Sequence, residues 1–93
     1  MRFSDAPNTA TIICKHCVRS GLPILFVSHD EDDGAWQFLC NVHDHDEETI
    51  AVVALHHVVE IDPSVTEVAD LPLGHVAERP NVGQPWYRHK DGE

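Results

Sequence analysis

Pro23-Ile24-Leu25-Phe26-Val27-Ser28-His29-Asp30-Glu31-Asp32-Asp33-Gly34-Ala35-Trp36-Gln37-Phe38-Leu39-Cys40 is the stretch that decides how this chain is read. Residues 23–29 are β-prone, and Pro23 suits the first position of a strand, where its missing N–H is tolerated. Asp30 to Gly34 make a five-residue acidic loop ending in glycine, a common hairpin connection. Ala35 to Cys40 then return as a second strand. Side chains alternate between the faces of a strand, so Trp36, Phe38 and Cys40 share one face and Ala35, Gln37 and Leu39 the other.

Upstream of this hairpin, Thr9 to Cys14 is β-prone and predicts a short strand running into a Cys14-Lys15-His16-Cys17 turn. Downstream, Ile50 to Leu55 predicts a third strand, apolar enough to sit centrally. For His56 to Glu60, periodicity leaves a continued strand and a short helix equally open. Pro63 ends that segment, and Ser64 with Glu67 three residues on has the capping-box pattern of a helix over Val65 to Leu71. Gly74 to Arg79 predicts an edge strand. The expected fold is a single α+β domain over residues 1–93. It has a small antiparallel sheet with one or two short helices packed on one side, a loose arm over about 1–8 and an irregular tail over about 80–93.

The 93 residues are 42% hydrophobic and 24% charged, which fits one globular domain and excludes a disordered chain. A domain of this length buries only roughly 60–65% of the surface that its unfolded chain exposes, so a metal staple or a dimer contact would help it. No apolar run has the length of a membrane span or a signal peptide. The expectation is a cytoplasmic protein, monomer or homodimer, whose three cysteines stay reduced.

Charge narrows the partners. Sixteen Asp+Glu against six Lys+Arg give a formal net charge of −10, and no Lys or Arg occurs between Ser20 and Glu78. The acidic residues cluster as Asp30, Glu31, Asp32 and Asp33, and again as Asp44, Asp46, Glu47 and Glu48. Such a surface repels phosphate backbones and anionic lipid, and predicts a basic protein partner rather than nucleic acid or membrane. The simpler alternative is that these are solvated loops that keep a small protein soluble.

Cys14-x2-Cys17 is followed by Cys40-x2-His43, and two such turns can supply the corners of a zinc tetrahedron. Thiolate and imidazole are also the donors zinc prefers. The expected ligands are therefore Cys14, Cys17, Cys40 and His43, with His16 and His45 as alternates. Four protein donors would make a structural zinc site. Without metal, Cys14 and Cys40 read as small buried hydrophobes. Disulfide chemistry at Cys14 and Cys17 is disfavoured because the residues after Cys17 look too broken for a stabilising helix.

Other motifs carry less. Asp30 to Gly34 lacks the ligand alternation of an EF-hand loop. His56 and His57 read as structural, one facing the core and one facing water if the segment is extended. No nucleophile elbow, phosphate-binding glycine loop or HExxH motif is present, so no catalytic residue is expected and the protein is read as a binding module rather than an enzyme.

The stretch Ile24 to Cys40, together with Glu60-Ile61-Asp62-Pro63-Ser64, Asp70-Leu71-Pro72-Leu73-Gly74 and Arg79 followed by Trp86, resembles a family of small bacterial proteins of unknown function. Related domains are grouped with immunity proteins of polymorphic-toxin systems. The resemblance covers roughly residues 12–88. It implies a one-domain α+β protein that binds and neutralises a partner, and relatives that pair a cysteine with a histidine two residues later, as Cys14 and His16 do. The shared motifs mark turns and core aromatics and transfer no catalytic residue.

Overall fold

The computed structural model describes residues 3–40 and 48–91. Within them the β-prone runs form six strands: β1 (Ala10–Cys14), β2 (Phe26–His29), β3 (Trp36–Leu39), β4 (Ile50–Ala54), β5 (His75–Glu78) and β6 (Tyr87–Lys90). They make one sheet in the order β4-β1-β3-β2-β5-β6. Helix α1 (Lys15–Arg19) follows β1 directly, α2 (Leu55–Ile61) follows β4, and a 3-10 helix covers Pro63–Val68. None of the helices is long and apolar enough to cross a membrane, among the described residues.

The α+β class holds, but the sheet is mixed rather than purely antiparallel. β1 and β3 run parallel, with Ile12 beside Gln37 and Ile13 beside Phe38. The cause is a double reversal: the chain turns back after α1 into β2, and the hairpin turns it again, so β3 regains the direction of β1. The hairpin itself is as expected, with Phe26 opposite Leu39 and His29 opposite Trp36. Its loop closes through Gly34 N–H to the Asp30 carbonyl (2.9 Å), with Gly34 at φ 72°, a conformation that favours glycine.

One face of the sheet builds the core. Ile13, Val27, Trp36, Phe38 and Ala77 are buried there, in one cluster with Leu55 and Val58 of α2 and Val65 and Val68 of the 3-10 helix. Burying side chains of this size stabilises by about 1.5–3 kcal/mol each. Leu55 and Val58 lie three residues apart, so a helix turns both inward. That spacing decides the open segment in favour of α2, and it leaves both His56 and His57 exposed beside Glu60 rather than sending one to the core.

Several boundaries differ from the expectation. Phe3 is buried, edge-on to Trp36 at 4.9 Å between ring centroids, which ties this residue of the expected loose arm to the body, while Ser4 and residues 6–8 are exposed. β4 is an edge strand, not a central one, because β1 takes one side and nothing described takes the other. β5, expected at an edge, lies between β2 and β6, and β6 forms inside the segment expected to be an irregular tail. Arg88 anchors that last strand by donating to Asp70 (2.6 Å) and to the Glu67 carbonyl (2.7 Å). The same hydrogen bond holds the Asp70 carboxyl below the usual carboxylate range. The cap of the 3-10 helix is Asp62 rather than Ser64: its carboxylate accepts from the Ser64 N–H (3.1 Å) and hydroxyl (2.6 Å), with Pro63 leading the helix.

Asp62 also joins two of the late motifs, the D-P-S turn and the Arg79–Trp86 pair, into one lock. Arg79, whose side chain is 1% exposed, donates to Asp62 (2.9 Å) and through Nε and Nη2 to the Ile24 carbonyl (3.1 and 2.9 Å). Trp86 lies against the guanidinium at 4.1 Å. The D-P-S turn, Arg79 and Trp86 therefore tie the helical side to the start of β2 and the last strand to both.

Candidate metal centre

Parallel pairing of β1 and β3 brings their carboxyl-terminal ends together, and each end carries a cysteine. Cys14 is the last residue of β1, and Cys40 follows directly on β3. Because Ile13 lies beside Phe38, the two cysteines leave neighbouring strands at the same end of the sheet. The hairpin returns Cys40 to this end, but the β1–β3 pairing sets its neighbour. β4 supports the same corner from the other side, with Ile50 opposite Cys14 and the Thr49 carbonyl accepting from Lys15 N–H (2.7 Å).

The turn expected at Cys14 to Cys17 is instead a strand end followed by a single helical turn. Cys14 occupies the N-cap position in extended conformation, and α1 starts at the next residue. This points His16 back across the strand ends, with its Nδ1 3.9 Å from the Cys40 Sγ. The donor atoms of Cys14, His16 and Cys40 all lie within 4.8 Å of one another. Ideal tetrahedral zinc sets a sulfur and an imidazole nitrogen about 3.6 Å apart, so the spacing is close to that of a ligand set.

Cys17 stands one helical turn after Cys14, and their Sγ atoms are 3.1 Å apart. Two zinc thiolates sit about 3.8 Å apart, so Cys17 stands closer to Cys14 than two ligands of one ion would, and it falls outside the group of three donors, so its side chain would have to re-orient to join them. Its sulfur also points to the Pro23 carbonyl at 3.8 Å. Burial, with the hydrogen bond to Cys14 and the nearby Cys14, Cys40 and Asp62 adding to it, pushes the Cys17 thiol well above the ordinary range. A metal binding there must displace that proton.

Of the expected ligands, the structure brings together Cys14 and Cys40 with the alternate His16, and sets Cys17 against Cys14. His43 and His45 lie outside the described residues, as do Asp44, Asp46 and Glu47. The signal for His16 was present in the sequence, as the Cys14-x-His16 spacing, but spacing alone cannot rank it against Cys40-x2-His43. The immediate start of α1 is what brings His16 to the two cysteines.

The acidic hairpin loop forms a separate feature. Asp30, Glu31, Asp32 and Asp33, with His29, His75 and Asp91, line a concavity of about 280 Å³. The four carboxylates are not equivalent. Asp30 is a brace, accepting from the Ser28 hydroxyl and from Gln37 Nε2 (2.7 Å), and Asp33 caps Ala35 N–H (3.0 Å). Glu31 lies over Gly74, where an added Cβ would sit 3.1 Å from its carboxylate. Glu31, Asp32 and Asp33 are exposed, as is Glu48 of the second cluster.

No family model matches this chain, and no match is found among curated proteins or solved structures.

Proposed function

We propose that this chain is a small zinc-stapled binding domain, with Cys14, His16 and Cys40 as ligands and Cys17 as the fourth donor. One observation carries the reading: the buried thiols of Cys14 and Cys40, at the ends of β1 and β3, and the His16 imidazole of α1 converge within 4.8 Å. A set of thiols and an imidazole suits zinc better than calcium or magnesium, which take oxygen ligands. With every corner filled by protein, the ion has no open position for water or substrate, so its role is structural rather than catalytic. A cytoplasmic setting keeps the thiols reduced and available.

Native mass spectrometry of protein from cells grown without added metal tests this directly. The expected result is one zinc per chain, removed by a strong chelator together with the fixed tertiary structure. Protein that is folded and free of metal as isolated would end the zinc reading.

A second reading concerns what the domain binds, and the acid-lined concavity at the hairpin favours it. We read this loop as the docking site for a basic protein, a toxin being the kind of partner that the resemblance suggests. Because Asp30 and Asp33 brace the loop, Glu31→Gln with Asp32→Asn isolates the exposed charge. Against a basic partner recovered from the same cells, this double variant is expected to weaken association about tenfold and to flatten its salt dependence, with the melting temperature unchanged. Binding indifferent to both the substitutions and salt would remove the loop from the interface.

A further inference from the structure

The two edges of the sheet are built differently. In an antiparallel ladder, residues that exchange hydrogen bonds alternate with residues that do not. Leu55 N–H donates to the Thr9 carbonyl (2.8 Å) and Lys15 N–H to the Thr49 carbonyl (2.7 Å), which fixes the odd-numbered positions of β4 as those bonded to β1. The N–H and C=O groups of Ile50, Val52 and Ala54 consequently point off the sheet. β4 ends the strand order, so among the described residues no strand pairs with that side.

Proteins guard such edges with charge, proline or bulges. β6, the opposite edge, carries Arg88 and Lys90. β4 carries nothing comparable: residues 49–59 contain no Asp, Glu, Lys or Arg, and Val52 is 72% exposed. In a chain of net charge −10, an uncharged edge that no described residue covers is the exception that calls for an occupant.

We propose that the occupant is a second copy of this chain, its β4 pairing antiparallel with β4 of the first about a twofold axis at Val52. The strand is self-complementary in that register. Val52 falls opposite Val52 of the second copy, Ala51 opposite Val53 and Ile50 opposite Ala54, so every cross-strand pair is apolar. A twofold interface requires this self-match, and a strand from an unrelated protein gains nothing from it. Charge favours the same occupant. Two copies repel wherever their acidic loops meet, and the charge-free edge lets them approach without like-charge contact. The result is one sheet continuous across both copies. A five-residue strand is about 17 Å long, so the contact is small and its affinity falls in the micromolar range.

Analytical ultracentrifugation of the full chain with its metal, from about 5 to about 500 µM, reads the association. The mass is expected to rise from 10.4 kDa towards twice that value. Val52→Lys puts a charge at the axis, and Val52→Pro removes an outward N–H that the β1 ladder does not use. Both variants are expected to stay at the single-chain mass with an unchanged circular dichroism spectrum. Should either fail to fold, amide exchange on the unaltered protein decides: the Val52 amide exchanges about tenfold more slowly at the highest concentration than at the lowest, while Ala51 and Val53 do not change. A single-chain mass throughout overturns the proposal, as does a dimer that survives in both folded variants. Protection of Val52 that ignores concentration also overturns it, since another part of the same chain would then cover the edge.

Discussion

Cys40→Ser is expected to lower the melting temperature by about 15–25 °C and to abolish any further effect of a chelator. Losing one thiolate of the set removes the ion, and a ligand present at about a thousand times its dissociation constant stabilises the native state by about 4 kcal/mol. Cys40 is also fully buried, so a serine hydroxyl there costs about 1–3 kcal/mol without any metal. The two causes separate in a thermal denaturation series. If zinc is the main cause, chelation lowers the unaltered protein by a similar amount and leaves the variant where it was. His16→Gln provides the cleaner partner experiment, because His16 lies only partly buried and outside the core cluster. It is expected to reproduce most of the loss. An unaltered protein whose melting point ignores the chelator would refute the zinc reading whatever the variants do.

Arg79→Met is expected to destabilise by about 3–5 kcal/mol, read from urea denaturation. The guanidinium is among the most buried charges in the described chain, and its removal strands the Asp62 carboxylate and the Ile24 carbonyl at once. It also removes the cation from the face of Trp86. A pair buried this way contributes little net stability as a pair; the cost lies in leaving one partner alone. Adding Asp62→Asn to Arg79→Met should therefore recover part of the loss, since it deletes the orphaned charge while keeping an oxygen that can cap Ser64. A double variant as unstable as the sum of two independent defects would show that the pair is not the unit that matters.

The hairpin was legible because its evidence is local: a β-prone run, a loop closed by Gly34 and an alternating Trp36, Phe38 and Cys40 face. β1 and β4 could also be read from composition, but their places in the sheet could not. Whether β1 enters parallel to β3 depends on contacts between residues far apart in sequence, and Ile13 carries no mark that names Phe38 as its neighbour. β6 escaped for another reason. Tyr87-Arg88-His89-Lys90 has no apolar alternation, because it is held by its ladder to β5 and by the reach of Arg88 to Asp70. At the candidate metal centre, sequence supplied Cys14, His16 and Cys40 as candidates, while their convergence depended on α1 starting directly after Cys14 and on the β1–β3 pairing. The capping pattern at Ser64 misled by two residues, since Asp62 offers the same chemistry one step before Pro63.

The parallel pairing of β1 and β3 has a consequence for the order of folding. β1 leaves the ribosome first, yet both its neighbours come later, with the Thr11 hydroxyl reaching the Val53 carbonyl across 42 positions of chain. The β2–β3 hairpin can close within microseconds, whereas insertion of β1 must wait for a long loop to shut. Contacts of such sequence separation slow folding more than any local preference does. Cys14 and Cys40 meet only when that insertion is complete. If the chain captures the proposed zinc ion, that capture is a late event, and the kinetics of zinc uptake by refolding protein would time the docking of the first strand.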